Sequence, residues 1–160
     1  MKMTPKYLER IAIYPGTFDP FTIGHKSIVE RGLTLFDKII IAVGINDAKR
    51  CYRPTEARVR HIEKVMADEP RVEVISYDRL TADVARDCGA QFILRGVRTV
   101  ADYEYERNLA YANRQISGVE TVLLYTLPEL QYVSSTMVRD LDRYGYDISQ
   151  FVPDSDQLRQ

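Results

Sequence analysis

No tryptophan occurs in these 160 residues, only two histidines and two cysteines do, and the formal net charge is -1. The cysteines, Cys51 and Cys88, form no CxxC pair and have no histidine at metal-ligand spacing, which argues against a zinc site and reads as reduced cytosolic thiols. With 22 basic against 23 acidic residues there is no whole-molecule field to gather nucleic acid or an anionic membrane. An anion site on this chain has to be local. No apolar run approaches a membrane span, and the charged start Met1–Lys6 is followed by no apolar signal region, so a cytoplasmic protein is expected. Internal repeats, low-complexity tracts, the GxGxxG fingerprint and the Walker A pattern are all absent.

Hydrophobic residues make up 45% of the chain and charged residues 28%, a composition that buries a core. One domain over 1–160 is expected, with 1–9 as an N-terminal extension and 154–160 as a tail that frays. Short β-branched runs alternate with longer segments of helical spacing, the pattern of a parallel sheet with crossover helices. Strands are predicted at Arg10–Tyr14, Lys38–Val43, Val72–Ser76, Gln91–Leu94 and Thr121–Tyr125, with the continuous run Ile39–Val43 as the central strand.

Helices are predicted over about Gly24–Phe36, from an N-cap at Thr55 through Val59, Ile62 and Val65 or Met66, over Thr81–Cys88, and over Val100–Ser117 closed by Gly118. A last helix opens near Ser135 and turns Val138, Leu141 and Tyr144 inward. The predicted fold is α/β, a Rossmann-like open parallel five-stranded sheet with helices on both faces. In such a sheet the ligand lies beyond the carboxyl ends of the strands, which directs attention to four loops.

The first runs from Tyr14-Pro15-Gly16-Thr17-Phe18-Asp19-Pro20 to Thr22-Ile23-Gly24-His25, where a helix opens. A helix N-terminus offers unpaired N–H groups and a positive dipole end to phosphate. Thr17 can donate a hydroxyl hydrogen bond and His25 an imidazole one, although His25 taken alone reads equally as an ordinary satisfied histidine. Lys49, after the second strand, is either a mobile phosphate ligand or a solvated lysine. Arg95-Gly96-Val97-Arg98, after the fourth, suits bidentate capture of phosphate or ion pairing with acids such as Asp102 and Glu104. Ser134-Ser135-Thr136, after the fifth, serves as a cap or as a polyphosphate cradle.

Taken together these segments resemble the nucleotidylyltransferase superfamily, whose first signature is a (T/H)xGH tetrapeptide and whose second is a serine-rich turn followed by an apolar pair and a basic residue. With Ala101-Asp102-Tyr103-Glu104-Tyr105-Glu106 added, the chain resembles the bacterial phosphopantetheine adenylyltransferase family over nearly its whole length. The resemblance implies transfer of the adenylyl group of ATP to 4'-phosphopantetheine, magnesium arriving with ATP, and a homohexamer. It implies His25 as transition-state stabiliser beside Thr17, Lys49 and Arg98. It implies contacts to ATP from Thr17, Phe18, His25, Gly96, Val97, Arg98, Glu106 and the stretch Leu130, Gln131, Tyr132, Val133, Ser134, Ser135 and Thr136. Thr17, Lys49, Thr81 and Arg95 are implied for the acceptor.

Three departures mark the chain: Thr81 replaces a larger apolar residue, Glu129–Val133 lacks the usual aromatic-rich stretch, and Thr136 stands where a third serine is usual. Nicotinate mononucleotide adenylyltransferases and phospho-alcohol cytidylyltransferases share both signatures. A nucleotide-binding protein without chemistry is the alternative from another class, disfavoured by the retention of His25, Lys49 and both arginines.

Overall fold

The computed structural model describes residues 8–45 and 50–159, so Lys49 lies outside the described residues. Five strands, β1 (Ile11–Gly16), β2 (Lys38–Gly44), β3 (Val72–Tyr77), β4 (Phe92–Val97) and β5 (Glu120–Tyr125), form one parallel sheet in the order β3-β2-β1-β4-β5. Helices α1 (Ile23–Gly32), α2 (Thr55–Val65), α3 (Thr81–Asp87), α4 (Val100–Ser117) and α5 (Ser135–Arg143) complete it. One apolar cluster joins Ala12, Ile39 and Leu94 to Ile28, Val29 and Ile62 of α1 and α2. On the other face, Ile13, Ile40 and Ile93 meet Val84 and Ala85 of α3. Covered on both faces, β2 is apolar from Ile39 to Val43, which is why it reads as a continuous run.

The middle place belongs to β1, not to the predicted Ile39–Val43 strand; β2 is its inner neighbour, with Ile39, Ile41 and Val43 at 0% exposure. The Arg95-Gly96-Val97 segment is not a loop: it extends β4, pairing with Leu123, Leu124 and Tyr125. Helix α1 ends at Gly32, four residues before the predicted Phe36, yet Leu33 and Phe36 still enter the core from the following turn, so helical spacing persists past the helix. Thr55 is not the cap of α2. Pro54 holds that place without a side-chain bond, and the Thr55 hydroxyl accepts from Arg58. Tyr144 does not turn inward; it is the C-cap of α5 and 78% exposed, because Gly145 at φ +79° turns the chain out of the helix.

The strand order reverses at β1, where connections to either side diverge and a crevice opens. Six register pairs join β1 to β2, running as far as Gly16↔Val43, whereas β1 and β4 pair at Ala12↔Phe92 and Ile13↔Ile93. Beyond Ile93 the two strands part, and the gap is bridged by a side chain: Arg95 Nη1 donates to the carbonyl of Pro15.

Candidate active site

Two clefts open at the carboxyl ends of the strands. The first, about 450 Å³, lies between the β3–α3 connection and α4, with Tyr77, Leu80, Thr81, Leu109 and Asn113 along its walls. The second, about 310 Å³, is faced by the N-termini of α1 and α5 through Gly24, His25 and Ser134–Thr136, with Gly96 and Arg98 opposite. Pro15, Gly16, Thr17, Arg95 and Glu106 line both, so the clefts meet there. Both volumes lie within the usual range for small-molecule sites.

Local sequence explains the second cleft. Thr22 caps α1: its hydroxyl accepts from His25 N–H at 3.4 Å, while its own N–H donates to His25 Nδ1 at 3.0 Å. Because a backbone N–H only donates, Nδ1 is an acceptor, and the neutral ring carries its proton on Nε2. The ring stacks on Phe21 at 5.5 Å and meets the edge of Phe18 at 5.1 Å. Burial first, then Arg95 and Arg98, lower the His25 pKa to about 3. His25 is thus a neutral hydrogen-bond donor held in one orientation.

Ser134 caps α5, accepting from Met137 N–H at 3.1 Å, and the Ser135 hydroxyl donates to the carbonyl of Pro20 at 2.8 Å. That bond fastens the serine turn to the loop after β1. Neither α1 nor α5 carries an acidic residue in its first turn, so both positive dipole ends face the cleft uncancelled. Arg98 Nη1 donates to the carbonyl of Val133 at 3.3 Å, tying the β4 end to the serine turn, and its Nε lies 3.7 Å from Asp102.

Arg95 makes a two-pronged pair with Glu106, Nη2 to Oε1 at 2.7 Å and Nε to Oε2 at 3.0 Å. Burial works against its charge, but the bonds to and attraction of Glu106 hold its pKa above the ordinary guanidinium value. Burial likewise pushes the Tyr14 phenol well above its usual range. In the first cleft, the hydroxyls of Tyr77 and Thr81 lie 3.0 Å apart at the start of α3.

The structure brings Thr17, Phe18, His25, Gly96, Arg98, Glu106, Val133, Ser134, Ser135 and Thr136 to the second cleft, and Thr17, Thr81 and Arg95 to the first. Val97 is buried in β4, and Leu130, Gln131 and Tyr132 stand outside both clefts, Tyr132 packing edge-on against Phe151. Two features escaped sequence reasoning. A hollow of about 190 Å³ on the far side of Thr17 and Ser135 carries Arg50, Arg139 and Arg143. Arg58, on α2, is buried and donates to the Thr17 carbonyl. Arg139 is the basic residue that follows the serine turn in the second signature, but Arg50, Arg58 and Arg143 belong to no local motif.

Two helix N-termini, arginines and a neutral imidazole around a cleft at the sheet's switch point define a nucleotide-handling α/β protein, and residues 13–141 match the cytidylyltransferase-like family. A solved structure from Vibrio parahaemolyticus described as a nicotinate-nucleotide adenylyltransferase shares the fold, with a TM-score of 0.66 at 21% identity over 96% of this chain and 100% of that one.

Among curated proteins, the phosphopantetheine adenylyltransferase of Bacteroides fragilis is 58% identical over 144 residues, 90% of this chain and 96% of that one. That of Phocaeicola vulgatus is 56% identical over 145 residues (91% and 96%), and that of Cytophaga hutchinsonii 44% over 147 (91% and 98%). The chain belongs to the phosphopantetheine adenylyltransferase family.

Proposed function

We infer that this chain transfers the adenylyl group of ATP to 4'-phosphopantetheine, releasing dephospho-coenzyme A and pyrophosphate, a step of coenzyme A synthesis. The observation that carries the reading is the meeting of two clefts at Thr17 and Arg95, one edged by two helix N-termini and the other by the Tyr77–Thr81 and α4 walls. The second suits a polyphosphate and the first suits the arm of an acceptor.

In the reaction an oxygen of the acceptor phosphate forms a bond to the α-phosphorus of ATP. The bond from that phosphorus to the bridging oxygen breaks, and its electrons leave on pyrophosphate. The acceptor oxygen is already anionic, so neither a protein nucleophile nor a general base is required. Catalysis is then placement and charge stabilisation. His25 Nε2–H donates to a non-bridging oxygen of the α-phosphate, with Thr17 and Arg98 beside it. Arg95 and Lys49 hold the acceptor phosphate, and Glu106 keeps Arg95 aimed. Gly96 and the Val133–Thr136 turn bind ATP, joined by backbone groups of Phe18 and Val97. Leu130–Tyr132 close over ATP from outside the cleft, and Thr81 contacts the pantetheine arm.

Magnesium is proposed as a companion of ATP. Among the described residues no three of His, Cys, Asp and Glu are grouped to hold a metal ion, and the ion is proposed to be carried on the nucleotide's own phosphates. When bound, it neutralises charge across those phosphates. No helix among the described residues is long and apolar enough to cross a membrane, and a cytoplasmic location is proposed.

A homohexamer is also proposed. Val100, Tyr105, Tyr111 and Ile116 of α4 are 57–75% exposed, an apolar surface suited to contact between copies. Light scattering at six chain masses supports this, and a monomer contradicts it. We take the whole chain as one catalytic domain in which residues 1–9 have no part in the chemistry, so a chain starting at Arg10 keeps wild-type turnover. Mass spectrometry of the product from ATP, magnesium and phosphopantetheine tests the reading: dephospho-coenzyme A is expected, and an unchanged acceptor overturns it.

A further inference from the structure

Arg58 is 2% exposed and among the largest fully buried side chains of the molecule. Its Nη1 donates to the carbonyls of Thr17 at 2.5 Å and Gly44 at 3.2 Å, its Nε to the carbonyl of Arg53 at 3.1 Å, and its Nη2 to the Thr55 hydroxyl at 2.9 Å. None of these partners is a carboxylate, and among the described residues Arg58 has no ion pair. A guanidinium taken out of water and held by neutral oxygens costs far more than an aliphatic chain of the same volume. Fold stability alone does not call for it.

Its placement does. The three carbonyls it gathers belong to the loop after β1, the end of β2 and the segment leading into α2, and these converge behind the meeting point of the clefts. Thr17 is exposed to both clefts while Arg58 lines neither, so the Thr17 carbonyl is drawn back into the protein. Across a trans peptide the N–H of the next residue points the opposite way. That residue, Phe18, stands at φ 50°, a left-handed conformation that costs a bulky side chain and persists only when the surroundings enforce it.

We propose that Arg58 is a positioning residue for adenylyl transfer. It fixes the Thr17–Phe18 peptide so that the Phe18 N–H faces bound phosphate, and it places a positive charge behind that site. The inference rests on the proposed reaction for its catalytic meaning, but the anion-binding half is testable with pyrophosphate alone.

Calorimetric titration with pyrophosphate and steady-state kinetics are run on the full chain, on Arg58→Lys and Arg58→Met, and on Arg60→Met, an exposed arginine of the same helix. Arg58→Lys keeps the charge but not the multi-carbonyl grip; it weakens pyrophosphate and raises the KM for ATP about tenfold each, with a smaller loss in kcat. Arg58→Met weakens pyrophosphate further, and Arg60→Met binds as wild type. Because Arg58→Met leaves three carbonyls unbonded and can fail to fold, amide NMR of the wild type supplies a second readout. The Phe18 N–H resonance shifts on pyrophosphate saturation. Wild-type affinity in Arg58→Lys, or a Phe18 amide unmoved at saturation, overturns the proposal. A shifted Phe18 amide in a protein that does not adenylylate phosphopantetheine overturns the reaction and leaves the role of Arg58 in anion binding standing.

Discussion

His25 and Thr22 fix each other: the Thr22 N–H donates to Nδ1 over 3.0 Å, and the Thr22 hydroxyl accepts from the His25 N–H at 3.4 Å. The reciprocal pair that caps the helix therefore also chooses the tautomer, through the Thr22 N–H, leaving Nε2–H as the donor. Two consequences are measurable. Replacing His25 with alanine lowers kcat by about 10²–10³ while the far-UV circular dichroism is unchanged, the effect of losing one donor to a developing charge. A folded His25→Ala chain with near-normal turnover removes the residue from the mechanism.

The pKa of His25 is lowered to about 3 from an ordinary 6.5, so the free protein's ring stays neutral at working pH. Between those two values the unfolded chain carries a proton that the folded one does not. Stability from this group is therefore lost as pH falls from 6.5 toward 3. His61, buried with Nε2 2.7 Å from the Pro153 carbonyl, shifts in the same direction, chiefly through burial. NMR titration of the ligand-free protein shows no His25 ring transition from pH 8 to 5; a midpoint near 6.5 contradicts the assignment.

Glu106 holds Arg95 with two bonds inside the shared wall of the clefts. Glu106→Gln leaves that guanidinium with a neutral partner. The Arg95 side chain keeps 29% exposure, so the cost lies between those of surface and buried pairs, about 2 kcal/mol by denaturant titration. The KM for the acceptor rises with it, since Arg95 is no longer aimed. Unchanged stability and KM together contradict this role.

Gly16 faces the ring of Phe18, and a Cβ added there meets ring carbons at 2.8–3.0 Å. Because that ring also packs against His25 and Phe21, it has little room to retreat. Gly16→Ala costs about 1–3 kcal/mol and displaces the imidazole, lowering kcat more than it raises the KM for ATP. Thermal unfolding and kinetics check both parts, and a silent Gly16→Ala contradicts the packing argument.

Thr121, on the wall of the larger cleft, has a buried hydroxyl oxygen with no hydrogen-bond partner among the described residues. Thr121→Val replaces it with a methyl group of similar size, so the melting temperature stays constant or rises. A clear fall shows that the hydroxyl is bonded after all.

The parallel sheet, the helix after Thr99 and the serine turn at α5 were legible because each follows from local pattern. Apolar runs mark covered strands, and Gly118 at φ +73° ends α4 where a glycine is needed. The errors share a cause as well. Arg95 and Gly96 look like loop residues but are held in β4 by Leu123 and Leu124, a partner that only the fold supplies. Tyr144 keeps helical spacing after the helix has ended. Arg58 is invisible to periodicity, which counts apolar residues inward, and a buried arginine facing three carbonyls breaks that rule. The first and second signatures named the cleft but not what stands behind it.

The central claim is tested most directly by pyrophosphate release with ATP, CTP and magnesium, offering phosphopantetheine, nicotinate mononucleotide and glycerol 3-phosphate in turn. The account predicts release from ATP with phosphopantetheine, at a kcat/KM well above every other pairing. Release with nicotinate mononucleotide alone, or from CTP with glycerol 3-phosphate, contradicts it.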